Sequence, residues 1–271
     1  MSSLDFGGGD SLYYEAVAPQ DASGATFVCF NALSGTVDIW KDTILPSLHA
    51  AGHGSLVFNF RGQANSPYSA PESLMPDAVS ADAVQLINHV SPARPIYIGL
   101  SIGGLFALQA HWRGAPAVGL VTINTLRKPG VRLDWINAAV TRAAEVGGSA
   151  LLMDVMAPML FDEKWMAANR ATALDPNNYQ PIDQGSGAYG LLRNGAYAEW
   201  DIAWEQVDIP VAVVTGLRDR VFYTEADVAD IVSRIPDAVR TDVDDAGHMV
   251  PLERADAVAD ACLALAERIA K

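Results

Sequence analysis

The sequence predicts an α/β protein with a doubly wound, mostly parallel sheet that carries a helical insertion. Short β-branched and aromatic runs alternate with longer stretches of helical periodicity. Most of those runs are apolar at nearly every position, which suits strands buried on both faces rather than on one. The alternation stops at about residue 127 and resumes near 206, so the repeat is interrupted once. Strand, helix, strand in succession implies a parallel sheet covered by helices on both sides. A chain of 271 residues is long enough for one such domain with an insertion.

Each element has its own signal. Residues 4–18 read as a β-hairpin turned at Gly7-Gly8-Gly9-Asp10. The three glycines also invite a phosphate-loop reading, but no Lys-Ser/Thr pair and no helix follow them. Strands are expected at 26–30, 55–60, 96–100, 117–123, 210–215 and 239–243. Helices are expected at 39–51, 77–90, 102–112, 223–234 and 252–270. The core domain is therefore assigned to 1–126 and 206–271, and 127–205 to a helical lid with helix-like segments at 134–146 and 149–160. That insertion is rich in Met and aromatic residues, which suits a cover over a pocket as well as a small core of its own.

Composition narrows the function. The formal charge is −14 and no basic stripe is present, so nucleic acid and anionic membrane surfaces are poor partners. Cys29 and Cys262 are far apart and form neither a disulfide framework nor a metal spacing, so buried, inert thiols are expected. The N-terminus lacks the pattern of a signal peptide, and no apolar run reaches the ~18 residues of a membrane span. A cytoplasmic monomer or homodimer acting on a small molecule, without metal or organic cofactor, is the expectation.

The chemistry centres on Gly99-Leu100-Ser101-Ile102-Gly103-Gly104, between an expected strand and an expected helix. A serine in that setting sits in a strained turn that lifts its hydroxyl above the sheet edge, and the flanking glycines let strand and helix pass closely. An N-cap serine is the structural alternative. A nucleophilic serine needs a base. His49, His53, His89 and His111 lie in or beside helices, whereas His248 follows the last strand in Asp245-Ala246-Gly247-His248 and reaches the same sheet edge as Ser101. Asp219, after strand 210–215, is the candidate to orient His248, although its neighbours Arg218 and Arg220 could make it a surface ion-pair member. Asp244 and Asp245 are reserves. Two oxyanion donors are expected, the N–H groups of Ile102 and of Leu33 in the loop Asn31-Ala32-Leu33-Ser34-Gly35. Arg127, Arg193 and Trp165 are candidate substrate contacts, with a solvated surface or the insertion's own packing as the alternative for each.

On these residues the sequence resembles the α/β-hydrolase superfamily over most of its length. The elbow at 99–104, Gly216 to Asp219, and Gly247-His248 carry the resemblance, and Ser, Asp and His follow in the order that this fold uses. Asn59-Phe60-Arg61-Gly62-Gln63-Ala64-Asn65-Ser66 is similar to the family's Asp-x-Arg-Gly-x-Gly-x-Ser loop, with Asn59 and Ala64 departing from it. Many relatives carry His-Gly nine residues before a Trp. Here Asn31-Ala32 precedes Trp40 by nine, and 30–36 looks like the oxyanion loop of 3-oxoadipate enol-lactonases. Serine at 101 disfavours the relatives that use an aspartate nucleophile. The resemblance implies a serine hydrolase cleaving a carboxylic ester or lactone through an acyl-enzyme. C–C bond hydrolysis of diketone-like acids and cofactor-free perhydrolysis use the same scaffold. A slow-turnover ligand receptor and a pure scaffold protein are the readings from other classes, and the complete set of three residues disfavours the last.

Overall fold

The computed structural model describes residues 2–271. Strands β1 (Ser2–Gly7) and β2 (Asp10–Val17) form the expected hairpin. Gly7, Gly8 and Gly9 all take positive φ at its turn. The alternation then runs β3 (Thr26–Phe30), α1 (Asp38–Lys41), α2 (Leu45–Ala50), β4 (Gly54–Phe58), α3 (Pro76–Val90), β5 (Pro95–Leu100), α4 (Ile102–Trp112) and β6 (Gly119–Ile123). Three helices follow, α5 (Val131–Leu160), α6 (Glu163–Asn169) and α7 (Gly187–Asn194), with no strand among the described residues of that stretch. The chain closes with β7 (Val211–Gly216), α8 (Glu225–Arg234), β8 (Ala238–Val243), α9 (Val250–Glu253) and α10 (Ala255–Ala270).

One sheet of eight strands results, in the order β1-β2-β4-β3-β5-β6-β7-β8. The β1/β2 and β2/β4 pairs are antiparallel and the other five are parallel. Both faces are covered, as the continuous apolar runs require. Val28 and Phe30 of β3 pack with Leu86 of α3 and Phe106 of α4 on one side. Phe27 and Cys29 pack with Trp40 of α1, Leu48 of α2 and Cys262 of α10 on the other. Both cysteines are free and buried. Order reverses around β3 and β5, so the loops leaving their C-terminal ends open a crevice where ligands bind in such sheets.

Two helices expected as single units are divided. The stretch 39–51 breaks between α1 and α2 because Pro46 occupies the first turn of α2, where its missing N–H costs nothing. The stretch 252–270 breaks at Arg254, whose backbone (φ −143°, ψ 65°) is not helical. Helix α5 carries non-helical backbone at Gly147 and Gly148, in the gap between the two segments read from the sequence. A window of α5 is long and apolar enough to cross a membrane, with mean hydropathy 1.2. Its apolar residues Ile136, Val140, Leu152 and Met156 instead wall a cavity over the sheet edge.

Candidate active site

The elbow is built by close approach. Ser101 sits between β5 and α4 at φ 56° and ψ −119°, a conformation that non-glycine residues adopt only under strain. A Cβ on Gly99 would strike the backbone of Gly103 and Gly104, and one on Gly103 would strike the Phe30 carbonyl. Glycine is therefore required where α4 crosses β3 and β5. The Ser101 N–H donates to the Ile123 carbonyl at 2.8 Å, and the Thr125 hydroxyl donates to the Ser101 carbonyl at 2.9 Å. The serine side chain makes no cap hydrogen bond, so the N-cap alternative fails. The Ile102 N–H, at the first position of α4, belongs to the turn whose donors have no intrahelical acceptor.

Asp219 and His248 meet at 2.7 Å through Oδ2 and Nδ1, both deeply buried. Asp219 Oδ1 accepts the N–H groups of Val221 at 2.8 Å and Phe222 at 3.1 Å. Burial alone would raise the Asp219 carboxyl, but the His248 ring and those two N–H groups outweigh it and hold it below the usual aspartate value. Neither flanking arginine pairs with Asp219. Arg218 donates to the Asp244 carbonyl at 2.9 Å and Arg220 to the Pro158 carbonyl at 3.3 Å. The reserves are excluded by geometry, since Asp244 and Asp245 are exposed and Asp245 pairs with Arg254. Ser101 and His248 line one cavity without a direct hydrogen bond among the described residues, a looseness usual in unliganded sites.

Residues that the sequence did not single out hold these loops. Asn124, just beyond β6 at φ 47°, donates to the carbonyls of Gly247 and His248 at 2.9 Å each and accepts the Gly216 N–H at 3.0 Å. It thus ties the end of β7 to the His248 loop. The one available hint was an Asn at a strand end, a residue that tolerates left-handed backbone. Glu253 accepts the N–H of Gly247 at 2.9 Å and of Asp162 at 2.6 Å, joining the same loop to the insertion. The His248 N–H donates to Leu160 at the end of α5, at 2.6 Å.

The Leu33 loop is pinned from the 59–66 loop. Trp40 Nε1 donates to Asn31 Oδ1 at 2.7 Å, which gives the nine-residue spacing its physical cause. Asn59 Oδ1 accepts the Val37 N–H at 2.9 Å, and Gln63 Nε2 donates to the carbonyls of Ala32 and Leu33 at 2.9 and 3.0 Å. Asn59, where the family pattern has Asp, is therefore a buried positioning group. Leu33 and Ile102 both border the cavity with Ser101.

The cavity measures about 240 Å³, and its wall is mostly apolar. Of the three candidate substrate contacts, only Arg127 lines it. Trp165 does not reach it. Its ring stacks on Phe161, with centroids 3.6 Å apart, so it packs the insertion's own core. Arg193 is exposed on the outer surface of the insertion beside Arg142 and Glu145. Among the described residues, no group of three or more His, Cys, Asp or Glu is placed to hold a metal ion.

A model of the alpha/beta hydrolase family matches residues 27–261. A relative named "Putative carbamate hydrolase RutD", from Variovorax paradoxus (strain S110), is 24% identical over 192 residues, covering 70% of this chain and 71% of that protein. The solved enol-lactonase from Burkholderia xenovorans LB400 superposes with a TM-score of 0.74 at 19% identity, covering 94% of this chain and 96% of that one. MGS-M2, an alpha/beta hydrolase enzyme from a Medee basin deep-sea metagenome library, superposes with a TM-score of 0.83 at 15% identity, covering 97% and 96%. At such identities the solved structures speak for the fold. The family match spans the elbow, the Asp219 loop and the His248 loop alike, and on it the chain belongs to the alpha/beta hydrolase family.

Proposed function

We propose that the protein is a serine hydrolase that cleaves a carboxylic ester or lactone of a small organic molecule. The observation that carries this reading is the buried 2.7 Å contact between Asp219 and His248, at the rim of a cavity that Ser101 also lines. Ser101 Oγ attacks the carbonyl carbon while His248 Nε2 takes its proton. Asp219 accepts from Nδ1, which fixes the tautomer and offsets the charge of the imidazolium. The N–H groups of Leu33 and Ile102 hold the negative oxygen. The C–O bond breaks, and the alcohol leaves with the proton held by His248. Water, deprotonated by His248, then splits the acyl-enzyme to the acid and restores Ser101. Segment 127–205 serves as the lid, with α5 walling the cavity.

The relative named as a carbamate hydrolase favours a second reading, in which the acyl group is a carbamate and the same residues act. Replacement Ser101→Ala, assayed on short p-nitrophenyl esters, tests the reaction. Turnover is expected to fall roughly 10³-fold or more. Unchanged turnover overturns the proposal.

A further inference from the structure

The cavity is lined by Arg127, whose guanidinium meets no hydrogen-bond acceptor among the described residues. Arg127 lies in the segment after β6, two residues beyond Thr125, whose hydroxyl is bonded to the Ser101 carbonyl. Its guanidinium lies 5.0 Å from the Phe222 ring and 5.4 Å from the Trp200 ring. Its Nε–H is buried without an acceptor, and the neighbouring Trp200 Nε1 is buried without one too. Among the described residues no carboxylate or carbonyl accepts from the guanidinium. The nearby acid is Asp219, and both of its oxygens are already engaged, by His248 on one side and by Val221 and Phe222 on the other. Burial pulls Arg127 down to about 10, so it stays protonated at neutral pH. A half-buried, hydrogen-bond-poor cation in a mostly apolar wall is costly, and the aromatic faces offset that cost only in part.

We propose that Arg127 is an anion subsite, and that the substrate is an ester or lactone bearing a free carboxylate which this guanidinium grips. One planar fork can engage both oxygens of a carboxylate, whereas a phosphate dianion held by the same fork keeps a further oxygen and a second charge that need more donors. The remaining wall offers it apolar side chains such as Leu33, Ile136 and Leu152. The carboxylate is a spectator to hydrolysis. It orients the scissile carbonyl, and the bonds formed and broken are those of the acyl transfer above. This inference rests on the serine hydrolase reading for the identity of the reacting bond.

The test compares monomethyl esters of succinic and glutaric acid with methyl butanoate and methyl pentanoate, followed by acid release. The wild-type protein is expected to prefer the charged series in kcat/KM by about 10- to 100-fold. Replacement Arg127→Met should erase that preference, and Arg127→Lys should restore part of it, with thermal unfolding confirming that each variant folds. A preference ratio unchanged by both replacements, or a wild-type preference for the neutral esters, overturns the proposal. Calorimetric titration of glutarate into the Ser101→Ala variant separates the two readings. Binding that disappears in Ser101→Ala with Arg127→Met supports the subsite even if methyl esters are not turned over. Absent or unaltered glutarate binding overturns it. Full activity in Ser101→Ala overturns the hydrolase reading instead and leaves the binding result standing.

Discussion

At the residue scale, Ser101 and Asp219 are held by opposite means. Ser101 is held by strain, since its φ and ψ persist only because Gly99, Gly103 and the Thr125 hydroxyl leave the turn no alternative. Asp219 is held by satisfaction, with three donors on two oxygens. Replacement Asp219→Asn tests its role without creating a void. The amide can offer its N–H₂ to Nδ1 and so stabilise the wrong tautomer of His248. A fall of roughly 10⁴-fold in kcat is expected, with KM little changed, as steady-state kinetics on the best ester will show. Sequence reasoning could place Ser101, Asp219 and His248 at one sheet edge because each follows a strand. It failed for Trp165 and Arg193 because insertion helices carry no such coordinate. A spacing of 3.6 reveals that a residue shares a face with others, and not which face meets the cavity.

At the element scale, the loops leaving β6, β7 and β8 behave as one unit through Asn124. Its side chain bonds the Gly216 N–H and the carbonyls of Gly247 and His248, and its own backbone lies in the left-handed region. Replacement Asn124→Ala strands three buried backbone groups and places a residue that dislikes positive φ. Urea unfolding should report a loss of about 2–4 kcal/mol. The kcat of the folded variant should fall more than KM rises, because His248 loses one of its backbone anchors. Such ties were not legible from sequence, since they join residues more than ninety positions apart by a single side chain. The strands were legible, because β3 to β7 are buried on both faces and their apolar runs mark them almost residue by residue. The glycine pair at 147–148 likewise marked the break in α5.

At the scale of the whole molecule, Arg61 is the cross-link that joins the N-terminal hairpin to the parallel sheet. It reaches Asp82 on α3 with two bonds, at 2.6 and 2.8 Å, and also bonds Asp10 at the start of β2. Asp10 further accepts from the Ser69 N–H and the Ser73 hydroxyl. The hairpin meets the rest of the sheet through the antiparallel β2/β4 pair, and this cluster adds side-chain bonds to that backbone pairing. Burial alone would raise the Asp10 carboxyl, but the donors from Ser69, Ser73 and Arg61 prevail and pull it to about 2. A carboxyl whose folded value lies below its unfolded value of 3.8 binds fewer protons when folded. Its stabilisation is therefore complete above about pH 4 and disappears as the pH falls toward about 2. Replacement Asp10→Asn removes the titrating group. Urea midpoints measured from pH 7 down to pH 2 should show the wild type more stable at neutral pH, with the two curves converging between about pH 4 and pH 2, whereas Asp82, raised to about 6 by burial, titrates in both proteins at higher pH. A margin that persists unchanged at pH 2 would mean that Asp10 contributes by shape rather than by charge.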